Sequence, residues 1–64
     1  MKAEKLVRDA ISYLVFEKTN KKVRNVWFIT RTDHDTIIYG VSGNNNVLFA
    51  IAEVNSLGEV EVIC

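Results

Sequence analysis

The sequence predicts an α+β fold, with one N-terminal helix packed on a four-stranded antiparallel meander sheet. Three observations carry this. Apolar residues recur at steps of three and four up to about residue 18, then change to alternation or short continuous runs. Polar breaks of about four residues, rich in Asn, Asp and Gly, separate the later runs. None of these breaks can hold a crossover helix, so successive strands must pair antiparallel. A chain of 64 residues makes one domain, 1–64, with a core of marginal size.

The helix comes first. Ala3, Leu6, Val7, Ala10, Ile11, Leu14 and Val15 fall on one side at 3.6 residues per turn. Lys5, Arg8, Asp9 and Ser12 fall on the other, where Glu4–Arg8 and Lys5–Asp9 have the spacing of helical ion pairs. Tyr13 and Phe16 widen the apolar side. Lys18, Lys21 and Lys22 gather where the negative end of the helix dipole should be, and Asn20 suits a left-handed terminator. These signals place a helix near 2–19, with Leu6, Ala10, Ile11 and Leu14 expected against the sheet.

Four strands follow, at 23–31, 36–42, 47–54 and 59–63, each rich in branched or aromatic residues. The turns near 32–35, 43–46 and 55–58 hold Asp33 and Asp35, Gly43 with three asparagines, and Asn55 with Gly58. Such residues supply the positive φ and local side-chain bonds that tight hairpins need. Proline is absent, so it interrupts none of these elements.

A sheet with one helix on it should alternate apolar-in with polar-out. The fourth strand does, Glu59 and Glu61 opposing Val60 and Val62. The runs Val26-Trp27-Phe28-Ile29 and Val47-Leu48-Phe49-Ala50-Ile51-Ala52 do not, since they are apolar on both faces. One short helix cannot cover both sides of a sheet, and large contiguous apolar patches are unusual on monomers. Trp27, Ile29, Leu48, Phe49 and Ile51 are therefore the candidate partner-binding residues. A second copy is the expected occupant, in a homodimer joined face to face or through an edge strand, and a different protein is the alternative.

Eight basic and eight acidic residues cancel. They are segregated, however. All eight Lys and Arg lie in residues 1–31 beside three acidic residues, and residues 32–64 carry five acidic residues and no Lys or Arg, so the halves are +5 and −5. Lys18, Lys21, Lys22 and Arg24, with Trp27, Phe28 and Tyr39 nearby, are candidate contacts for a single-stranded nucleic acid, through phosphate pairing and base stacking. Neutral total charge and a pI near 6.5 argue against a dedicated nucleic-acid binder.

Signals for chemistry are sparse. His34, flanked by Asp33 and Asp35, has metal-ligand side chains, but neighbours on one turn rarely converge on one ion. An exposed turn histidine is the plainer account. Cys64 is the only cysteine, so no intrachain disulfide is possible, and its place at the last residue suits no catalytic geometry. Ser12, Ser42 and Ser56 lack a nucleophile-elbow setting, and Gly40, Gly43 and Gly58 open no helix that would cradle phosphate. The expectation is a non-enzyme without cofactor or metal. No run of eighteen apolar residues is present, and Met1-Lys2-Ala3-Glu4-Lys5 leads into a charged amphipathic stretch, so a cytoplasmic protein without a membrane span is expected.

The order helix then meander, ending in Val54-Asn55-Ser56-Leu57-Gly58-Glu59-Val60, resembles the small PepSY modules, whose last hairpin carries an aspartate–glycine turn between valine-rich strands. The resemblance covers residues 4–63 in topology and 39–60 in pattern. Asn55 stands where that family usually has Asp, Leu57 replaces the Thr before Gly, and the turn is one residue shorter. PepSY modules are typically extracytoplasmic and regulate or inhibit a partner enzyme. The resemblance thus implies a protein-binding module, and it carries over no catalytic residue.

Overall fold

The computed structural model describes residues 2–63, with side chains from Lys5 onward; Cys64 lies outside the described residues. Helix α1 spans Lys2–Thr19, and strands β1 (Asn25–Arg31), β2 (Ile37–Ser42), β3 (Leu48–Val54) and β4 (Val60–Ile63) follow. They form one antiparallel sheet in the order β1-β2-β3-β4, with the helix packed on one face. Among the described residues, no helix is long and apolar enough to cross a membrane.

The helix stops at the expected asparagine. Asn20 has φ 61° and its N–H donates to the Phe16 carbonyl at 2.7 Å, while Thr19 Oγ1 donates to the Val15 carbonyl and accepts from the Lys21 N–H. Each hairpin closes as its residues require. Asp35 (φ 66°), Asn46 (φ 59°) and Gly58 (φ 85°) take the left-handed positions. In the last turn the Asn55 carboxamide oxygen accepts from the Leu57 and Glu59 N–H groups, and its Nδ2 donates to Glu59 Oε1. That side chain mimics a backbone turn.

The helix buries a narrower side than its pattern suggests. Ile11 and Val15 are fully buried and Val7 partly so, one β-branched residue per turn. Of the residues expected in the core only Ile11 is there: Leu6 is 68% exposed, and Ala10 and Leu14 are also exposed. A step of one residue is 100° around the axis, so Leu6, Ala10 and Leu14 stand a quarter turn from Val7, Ile11 and Val15. Both rows are apolar, and periodicity alone permits either. In the fold it is Ile11 and Val15 that join Tyr39, Val41, Ala50, Ala52, Val54 and Val62 in the buried cluster.

Register separates the two faces of the sheet. Val26 pairs with Val41 and Val41 with Ala50; Phe28 pairs with Tyr39 and Tyr39 with Ala52; Ile37 pairs with Val54 and Val54 with Val60. These residues, with Val62, share the helix side, and the buried cluster of Ile11, Val15, Tyr39, Val41, Ala50, Ala52, Val54 and Val62 lies there. Ile29 and Phe49 fall at breaks in register, each an extra residue in its strand. Such bulges bend a strand and raise its twist, which helps a small sheet curve around one helix.

Candidate functional site

The opposite, outer face of the sheet is built around one residue without a side chain. Trp27, Gly40, Ile51 and Ile63 are aligned across all four strands. A Cβ on Gly40 would lie 2.6 Å from Trp27 Cζ2, 2.7 Å from Cε2 and 3.1 Å from Ile29 Cδ1. The indole therefore lies across β2 in the space that glycine leaves, with Ile29 beside it. Asn25, Ser42 and Leu48 continue the face on one side; Thr30, Ile38, Glu53 and Glu61 continue it on the other. Trp27 is 37% exposed and Leu48 46%, and Ile29 and Ile63 are similarly open. Apolar groups hold the centre. Polar groups occupy the rim, where Glu53 and Glu61 face each other as a like-charge cross-strand pair.

Four of the five candidate partner-binding residues, Trp27, Ile29, Leu48 and Ile51, meet on this face. Phe49 does not join them. It is the bulged residue of β3, packs against the helix-side core, lies 3.5 Å from the position a Cβ on Gly43 would take, and carries Lys21 Nζ 5.4 Å from its ring centroid. The extra residue between Leu48 and Ala50 breaks the alternation that would have set Phe49 with Ile51. Ile38, Ile63 and Gly40 belong to the face and were missed in the sequence. Counting alternation outward from each turn would have found the two isoleucines; no local signal marks Gly40 as the seat of Trp27.

Two of the four basic candidates are engaged within the fold. Lys18 Nζ donates to the Val62 carbonyl at 2.8 Å, Lys21 lies over Phe49, and Lys22 and Arg24 are exposed. Among the aromatics considered for base stacking, Trp27 is on the outer face, Phe28 is on the helix side at 54% exposure, and Tyr39 is buried. They form no common stacking platform. In the first turn Asp35 is held by Arg31 at 2.8 Å, and Thr32 Oγ1 accepts from the His34 and Thr36 N–H groups. Among the described residues no His, Cys, Asp and Glu group of three could hold a metal ion.

Two clefts lie at opposite ends of the sheet. One, about 370 Å³, is lined by Thr36, Glu53, Asn55, Glu59, Val60 and Glu61; the other, about 410 Å³, is lined by Lys21, Gly43, Asn44, Asn45, Val47 and Phe49. Neither includes Trp27 or Ile51. Compared with known protein families, curated proteins and solved structures, the chain matches none of them.

Proposed function

We propose that this chain is a small non-enzymatic interaction module that acts by presenting the outer face of its sheet, and that a second copy covers that face. The supporting observation is the uncovered apolar centre formed by Trp27, Ile29, Leu48, Ile51 and Ile63. Tryptophan is among the side chains enriched where binding energy concentrates in protein interfaces. The resemblance to PepSY modules likewise favours protein binding.

Sedimentation equilibrium across micromolar concentrations tests self-association. A mass that rises from 7.3 kDa toward twice that value, with melting that shifts upward with concentration, is the expected result. A 7.3 kDa species throughout overturns it. Single-stranded nucleic acid is the second reading, resting on exposed Lys22 and Arg24 beside Lys21. Labelled oligonucleotides titrated at low salt decide it, since phosphate contacts are strongest there. No binding at low salt removes that reading.

A further inference from the structure

We infer that β4 is a releasable strand, opening from β3 while the rest of the sheet stays folded, and that the facing charges of Glu53 and Glu61 set how readily it opens. This device does not depend on what covers the outer face. β4 is lightly tied. Four residue pairs join it to β3, from Val54–Val60 to Ile51–Ile63, against six between β2 and β3. Val62 is its one buried residue; Val60 is partly buried, and Glu61 and Ile63 are exposed. From the helix, Lys18 Nζ donates to the Val62 carbonyl at 2.8 Å.

Electrostatics works against the pairing. Glu53 and Glu61 stand directly opposite, and like charges so placed lie about 5 Å apart at Cβ and destabilise the ladder. Glu59 adds a third carboxylate to the same cleft, which Thr36, Asn55 and Val60 complete without a Lys or Arg. Among the described residues neither Glu53 nor Glu61 has a cation within salt-bridge distance. Residues 48–63 carry these three negative charges and no Lys or Arg. The turn, by contrast, is firm. The Asn55 N–H donates to the Glu59 carbonyl, the Gly58 N–H donates to the Asn55 carbonyl, and the Asn55 carboxamide accepts from Leu57 and Glu59. These bonds survive loss of the ladder beyond Val60, so the strand parts from its Ile63 end and the turn serves as the hinge. Release exposes Val62, frees Lys18 and uncovers the backbone edge of β3, the kind of edge to which an extended segment adds.

Amide hydrogen exchange of the intact chain, followed by NMR at fixed pH and in low concentrations of denaturant, tests this. Amides bonded between β3 and β4 should have protection about tenfold or more below those bonded between β2 and β3, with little dependence on denaturant, as local opening requires. Equal protection in the two sets, with the same denaturant dependence, overturns release, because β4 then leaves only on global unfolding. Glu61→Lys sets an opposite charge against Glu53. It should raise protection of the β3–β4 amides about threefold or more at low salt, and added sodium chloride should narrow that gap by screening. No response of these amides to the charge change or to salt overturns the role of the Glu53–Glu61 pair. Should Glu61→Lys fail to fold, Glu53→Gln gives the same readout from the other strand, and the unaltered chain still decides whether β4 opens.

Discussion

Strands β1 and β3 are each seven residues long and mostly apolar, yet β3 buries alternate residues while every residue of β1 but Val26 is exposed. Composition does not separate them. Position does: β3 lies between β2 and β4, whereas β1 is an edge strand with β2 alone beside it in the sheet and only Val26 packed against the core. The residues themselves reinforce this. Ala50, Ala52 and Val54 turn into the buried cluster, whereas Trp27 and Ile29 lie on the outer face and Phe28 stays half exposed on the helix side. An apolar strand at the edge of a small sheet thus adds little to the core and most to the surface available for contact.

The contrast can be broken from the helix side, with the largest effect. Ile11→Ala removes the buried residue at the middle of the Val7–Ile11–Val15 row and should cost about 2–5 kcal/mol in urea unfolding. On a domain this small that is a large part of the total stability. Enlarging the floor tests the same contact from beneath. Ala52→Leu should cost about 1–3 kcal/mol through overpacking, measured the same way. A neutral Ala52→Leu would mean that the helix is not closely seated.

Gly40→Ala probes the outer face. The new methyl forces the indole aside, and the stiffer unfolded chain offsets part of that strain, so a net loss near 1 kcal/mol is expected, with a red-shifted Trp27 emission. Asn55→Ala should cost about 1 kcal/mol in the same unfolding assay, because two backbone N–H groups lose their acceptor. The smallest effect belongs to β1. Ile29→Ala should cost less than about 1 kcal/mol in the dilute monomer, its side chain being half in water already. A loss as large as that of Ile11→Ala would erase the distinction between the two strands.

Much of this architecture was legible in the residues. Asn20, Asp35, Asn46 and Gly58 took the left-handed positions that their turns demanded, and the change of period at Asn20 marked where helix gave way to sheet. The outer face was legible as a set because alternation failed in two strands. Three details were not. Leu6 and Leu14 stayed outside because two apolar rows competed for one floor, and that floor is made by sheet residues from Tyr39 to Val62, distant in sequence. Phe49 left the outer face because a single inserted residue inverts alternation, and nothing in Val47-Leu48-Phe49-Ala50 announces a bulge. Gly40 carries no local signal of its role, which depends on a tryptophan in the neighbouring strand.

The bond from Lys18 to the Val62 carbonyl links residues 44 apart, and it sets an order of events. Each hairpin closes between sequence neighbours, but the helix gains its full floor only when β4 brings Val62 beneath it. At about 5–20 residues per second, some 2–8 s separate synthesis of the helix from that of β4 on the ribosome. Until β4 is added, Val62 is missing from the cluster around Ile11 and Val15, and the helix lacks the Lys18 bond that fixes its end. Addition of β4 is the step at which one row is sealed and the other becomes surface.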